Sequence, residues 1–158
     1  MGLALWVIGK QKFDFLDAGI EAFGQRIKHY YRFEYQVFQN IKYRQKNAPE
    51  QVKIDEWQAI EANLKPQDTL FLLDERGKQL SSVGFAEWLE KSLTLHPGRL
   101  VFLVGGAYGF PPEAYVRARE SIGLSKMTFS HQLIRLIFLE QLYRACTIIR
   151  GESYHNEG

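Results

Sequence analysis

Residues 124–144, LSKMTFSHQLIRLIFLEQLYR, constrain the fold of this chain more than any other stretch. A loop of small, polar and apolar residues (124–130) opens directly into a helical pattern that is apolar on nearly every face. A helix of that kind has to be covered by more than its own small domain. The loop ahead of it brings unpaired backbone N–H groups and the positive end of the helix dipole to one place. Together they predict a cofactor-binding loop set beside a subunit interface.

A chain of 158 residues, 46% hydrophobic and 24% charged, fits one soluble globular domain over 1–158. Its apolar runs, such as 136–139, are too short to cross a bilayer. The start, MGLALWVIGK, lacks a basic region and a small-residue cleavage site, so it reads as a strand and not as a secretory signal. Trp6 stands where a myristoylation site needs Ser or Thr. The single cysteine, Cys146, cannot form an internal disulfide and is expected to pack in the core. A reducing, cytoplasmic setting follows. No Cys/His cluster has metal-ligand spacing, so no metal is expected.

The net charge of +2 hides an uneven distribution. Between residues 26 and 46 lie Arg26, Lys28, Arg32, Lys42, Arg44 and Lys46 against one acid, Glu34. Tyr30, Tyr31, Phe33, Tyr35, Phe38 and Tyr43 are interleaved with them. Basic groups attract phosphate and aromatic faces stack on bases. The plainer alternative, that alternate aromatics bury one strand face, stays open. Lys42, Arg44 and Lys46, in an expected loop, favour nucleic acid.

Strand and helix patterns alternate along the chain. Strands are expected at 3–8, 32–39, 69–74 (TLFLLD) and 99–104 (RLVFLV), and helices at 15–31, 50–64, from Ser81 or Ser82, from Pro111 and Pro112 to about Arg119, and from His131 to Gly151. Buried Leu/Val/Phe strands separated by helices argue for α/β architecture, a mostly parallel sheet with helices on both faces. Ligands bind such sheets at the carboxyl ends of the strands. The loops after Leu73, Val104 and Gly123 are expected to converge there. The first, 75–78, reads as a charged tight turn. The second, GGAYGF, matches neither the dinucleotide fingerprint nor the P-loop. The third, Leu124-Ser125-Lys126-Met127-Thr128-Phe129, offers backbone and hydroxyl partners for an adenosine and apolar side chains for its ring.

VGGAYGF, LSKMTFSHQLIRLIFLEQLYRA and the tail RGESYH, together with VIGK and TLFLLDERGKQLSS, resemble the RlmH family of SPOUT-class methyltransferases over nearly the whole chain. The resemblance implies methyl transfer from S-adenosylmethionine to N3 of a pseudouridine in 23S rRNA of the assembled ribosome. It also implies a C-terminal trefoil knot, an exception to the rule against threading, and a homodimer. By resemblance Leu73, Gly105 and Leu124, Ser125, Lys126, Met127, Thr128 and Phe129 contact the cofactor. Runner-up readings are a SPOUT enzyme acting on another RNA, such as tRNA, and a catalytically silent ribosome-binding protein.

Methylation at an imide nitrogen requires its proton to leave, by a neutral base or through a stabilised anion. His131, beside the cofactor loop, is a candidate, since a helix N-terminus lowers an imidazole's proton affinity. Arg135 shares its face one turn on. Arg144 more simply pairs with Glu140. In the tail, Tyr154 can stack on a base and His155 can bind or deprotonate it, and by resemblance the tail lies beside the cofactor pocket. Two departures from the family pattern, Ser130 and Ser153 in place of prolines, predict looser backbone at the loop and the tail.

Overall fold

The computed structural model describes residues 2–156. Ten elements follow in order: β1 (Gly2–Ile8), α1 (Asp14–Ile27), β2 (Arg32–Phe38), α2 (Pro49–Glu61), β3 (Thr69–Gln79), α3 (Ser82–Leu95), β4 (Arg99–Val104), α4 (Pro112–Arg117), β5 (Glu120–Gly123) and α5 (Leu133–Ile149). The five strands form one sheet in the order β2-β1-β4-β3-β5, with every pairing parallel.

The helices divide between its faces because strand side chains alternate. Leu3, Leu5 and Val7 of β1 point to a core shared with α1, α3 and α5. Ala4, Trp6 and Ile8 point to the other core, with Trp57 and Ile60 of α2 and Ala114 of α4. Pro49, which reads as a breaker, takes the first helical position of α2, where its missing N–H costs nothing. Ser81 caps α3 by accepting from the Gly84 N–H at 3.0 Å.

Two local expectations need correction. Residues 75–78 are not a turn: β3 runs on to Gln79 through a register shift between Leu73 and Lys78. Gly77 permits this, because a Cβ there would sit 2.6 Å from the Ser121 backbone. Next, α1 stops at Ile27, four residues short of its expected end, and Lys28 to Tyr31 close a hydrogen-bonded turn. The last helix, α5, is not enclosed on all sides within one chain. It lies between α1 and α3, which cover Phe138, Leu139, Leu142, Ala145 and Cys146. Leu136, Ile137 and Ile148 stay half-buried and Leu133 is exposed. Burial pushes the Cys146 thiol up to about 12, so it is inert packing.

The aromatics of 30–38 take the plainer role. Phe33 and Phe38 are buried, and Tyr30, Tyr31 and Tyr35 pack half-buried against the first core. No helix among the described residues is long and apolar enough to cross a membrane.

Candidate functional site

The carboxyl ends of β3, β4 and β5 open into a cavity of about 640 Å3, within the range of small-molecule sites. Leu73 and Gly105 line it, as do Leu124, Ser125, Met127, Thr128 and Phe129, so the three expected loops do converge. Lys126 is exposed and is not on the wall. His131 and Ile134, at the start of α5, complete one side.

Short polar bonds hold the loops. The Thr128 hydroxyl donates to the Glu75 carboxylate at 2.5 Å, joining the third loop to β3. Ser125 Oγ accepts from the Met127 N–H at 3.0 Å. Ser130 Oγ accepts from the Leu133 N–H at 3.1 Å, and its carbonyl accepts from the Ile134 N–H at 3.1 Å. The hydroxyl thus supplies a helix-start bond that proline could not, which offsets the loosening expected there.

The sequence reading missed the wall made by Asp74, Arg76 and Tyr115. The Tyr115 hydroxyl donates to Asp74 Oδ2 at 2.5 Å, and Arg76 Nη2 donates to that hydroxyl at 3.1 Å. Burial pushes the Asp74 carboxyl up, but the bonds from Tyr115 and Arg76 outweigh it and hold it below the ordinary carboxylate range. Burial and the Asp74 carboxylate raise Tyr115. Reading 75–78 as a surface turn concealed this cluster. A run of charged residues directly after an apolar strand was the available signal.

His131 is half-buried on the cavity wall. Its proton affinity is lowered, first by burial and then by the nearby charges of Arg135 and Lys12. Arg135 does not share a reactive face with it. This side chain is 0% exposed and donates to the Ile8 carbonyl at 2.8 Å, the His131 carbonyl at 3.0 Å and Gln11 Oε1 at 3.3 Å. Arg135 is a brace between α5 and the end of β1, with no open side for substrate. Gln132 adds a second brace, accepting from the Lys12 N–H at 3.0 Å and donating to the Lys10 carbonyl at 3.1 Å.

The tail does not line its own subunit's cavity. Gly151, at φ +70°, ends α5 in a Schellman turn: its N–H bonds to Ile148 O at 3.0 Å and the Glu152 N–H to Thr147 O at 2.9 Å. The chain then doubles back along α5. The Tyr154 hydroxyl donates to Glu140 Oε1 at 3.1 Å, and its ring lies 4.8 Å from the Arg144 guanidinium. Arg144 pairs with Glu140 at 2.5 Å, as expected, and Nη1 meets His155 Nδ1 at 3.1 Å. Glu140 and Arg144 lie about two and three turns along α5 from Leu133. The expectation that Tyr154 and His155 stand beside the pocket therefore fails within one chain.

In the basic segment, Arg44 is committed to α2: its N–H and Nε each reach Asp55 at 2.9 Å, and Nη2 reaches Gln58 at 3.0 Å. Lys42 and Lys46 are exposed and make no ion pair among the described residues. No group of three or more His, Cys, Asp or Glu able to hold a metal occurs among the described residues.

A parallel sheet with a cavity of about 640 Å3 at its carboxyl edge, walled by the loop that feeds the last helix, places the chain among α/β folds whose ligand sites lie at the strand ends. The family model described as "Predicted SPOUT methyltransferase" matches residues 1–155. The chain belongs to that family. It is 47% identical over 157 residues to "Ribosomal RNA large subunit methyltransferase H" of Parabacteroides distasonis, covering 99% of this chain and 100% of that protein. Proteins of the same name from Bacteroides fragilis and Cytophaga hutchinsonii are each 45% identical, again over 99% of this chain and 100% of theirs. Among solved structures, "a probable methylase family protein" from Haemophilus influenzae aligns with TM-score 0.51 at 10% identity, over 98% of this chain and 70% of that one, a likeness of fold alone.

Proposed function

We propose that this chain methylates 23S rRNA of the large ribosomal subunit, at N3 of a pseudouridine in the assembled ribosome, with S-adenosylmethionine as donor. The observation that carries this reading is the cavity built by three separate loops with His131 on its wall. The relatives' shared name supports an rRNA substrate.

The residues present fit the donor. Leu124, Phe129, Ile122 and Ile134 give apolar walls for a ring, and the backbone and hydroxyls of 125–128 give polar partners. Asp74, held ionised, places negative charge in the cavity, suited to a cationic sulfonium. When bound, the donor supplies an electrophilic methyl: its S–CH3 bond breaks, an N3–CH3 bond forms, and S-adenosylhomocysteine and the N3 proton leave. His131 is the group for that proton, because its lowered proton affinity keeps the imidazole neutral near pH 7. Arg135 acts through His131 by holding its backbone carbonyl, and is a positioning residue.

Within this reading the active unit is a homodimer. The half-buried row of α5, with Leu133 exposed, is apolar surface that a second copy covers favourably at about 25 cal/mol per Å2. A partner packed there offers its own Tyr154 and His155 to this cavity, the role the tail cannot fill in its own chain. The trefoil threading implied by the family resemblance belongs to the same reading, as does a cytoplasmic setting.

The test uses ribosomes from cells lacking this chain. Incubation with the protein and labelled donor should place one methyl on a 23S pseudouridine, read by mass spectrometry of rRNA digests. Transfer to tRNA alone, or binding of the donor with no transfer, would replace this reading with another RNA substrate or a silent ribosome-binding protein. Sedimentation should give twice the mass of one chain.

A further inference from the structure

A second cavity of about 690 Å3 opens beside the first and shares Gly106, Ala107 and His131 with it. Lys10, Lys12, Tyr43 and Glu56 form other parts of its wall. Both lysines are exposed, and neither makes an ion pair among the described residues. Glu56 is the anomaly. It is 5% exposed, and its Oε2 accepts from the Tyr43 hydroxyl at 2.8 Å. Its Oε1 is buried with no hydrogen-bond partner. A Cβ on Gly106 would fall 2.6 Å from both oxygens, so the carboxylate stands directly behind the glycine that lines both cavities. A buried acceptor left open costs stability that any apolar side chain would save. Asp55, the neighbouring buried acid, has both its oxygens hydrogen-bonded by Arg44 and Gln51, so burial on α2 does not by itself leave an acid oxygen unfilled.

We propose that the second cavity receives the acceptor nucleoside and that Glu56 selects it, its unpartnered oxygen accepting a ring N–H that ordinary uridine lacks. This deepens the reading above and rests on it. A uracil ring joined to ribose through carbon carries N–H groups at N1 and N3. Joined through N1, it carries only the N3–H. With N3 turned to the first cavity across His131, the N1–H of the carbon-linked base remains free for a carboxylate. Lys10 and Lys12 at the same mouth take the flanking phosphates. Gly106 permits the approach because any larger residue would stand on the carboxylate.

The experiment compares ribosomes bearing pseudouridine or uridine at the target position. Wild-type protein should prefer pseudouridine. Glu56→Leu, close in size and without an acceptor, should lose roughly tenfold to a hundredfold in kcat/KM on pseudouridine ribosomes and none on uridine ribosomes. Glu56→Gln, which keeps one acceptor oxygen, should retain most of the preference. Donor affinity by calorimetry should stay within about twofold in both. The Lys10→Ala/Lys12→Ala double variant, altered only at exposed positions, should raise KM for ribosomes and leave donor affinity alone. An unchanged preference in Glu56→Leu, or a parallel loss of donor affinity, would overturn the proposal and leave Glu56 as a prop for the 105–106 backbone. So would an unchanged KM in the lysine variant if Glu56→Leu does not fold. Wild-type protein inactive on both ribosomes would instead overturn the functional reading itself.

Discussion

The two ends of the sheet treat charge in opposite ways. At the amino end, Arg99 donates to Asp68 at 2.7 and 3.2 Å, reaches Glu34 at 3.3 Å and lies 5.0 Å over the Trp6 ring. Arg117 caps the carbonyls of Lys65 and Asp68 at 3.4 and 3.1 Å. Both cations are spent on protein groups, which close this end. At the carboxyl end Lys10 and Lys12, on the wall of the second cavity, and Lys42 and Lys46 stand exposed without ion pairs among the described residues. Arginines bound to acids and carbonyls close one end, whereas exposed lysines at the other have no ion-pair partner among the described residues. Partnership, which no count of charges contains, separates structure from function.

The largest effect is expected at His131. His131→Ala should cut kcat by about a hundredfold or more with donor affinity retained, since the side chain lies on the wall and braces nothing. Because its proton affinity is lowered, the wild-type kcat should fall only as pH drops below the ordinary histidine value of about 6.5. A limb centred above that value would exclude His131 as the proton acceptor. At the sealed end the effect should be stability alone. Arg99→Ala strips the buried Asp68 carboxylate of its partner and should cost about 2 kcal/mol, read by urea unfolding, with activity per folded molecule unchanged. Burial raises Asp68, but the Arg99 bonds prevail and hold it low, so this contribution should persist at neutral pH and vanish as pH falls below about 4. Lys42→Ala/Lys46→Ala should do the reverse: stability within about 0.5 kcal/mol, and a salt slope for ribosome binding smaller by about two. The smallest effect belongs to the loop between them. Ser130→Ala should cost about 1 kcal/mol or less through the lost Leu133 cap, seen as a shift of thermal midpoint.

Apolar runs made β1, β4 and the start of β3 readable, since strands buried on both faces leave little ambiguity. Helical spacing with Pro, Ser and Gly punctuation placed α2, α3 and α5 within a few residues. The third cofactor loop was readable because backbone donors and hydroxyls crowd ahead of a helix. Asp74, Arg76 and Tyr115 were not, because they come from β3 and α4, 39 and 41 residues apart, and only the fold brings them together. Arg135 misled because helical periodicity puts it near His131 but says nothing of what lies above it. The end of β1, 127 residues away, buries it. Tyr154 and His155 misled because a positive-φ glycine turns the tail back on its own helix.

By itself, then, the sequence determined the alternation of strand and helix, the parallel sheet and the edge where a ligand sits, because those follow from local periodicity and backbone sterics. Tertiary structure alone decided which charges are spent and which stay open, that burial lowers the proton affinity of His131, and which carboxylate goes unfilled. Those properties depend on distances between groups far apart in the chain and on the water excluded between them. In residues 124–144 the helix is legible from spacing, while the chemistry is set by what β1 and β3 bring against it.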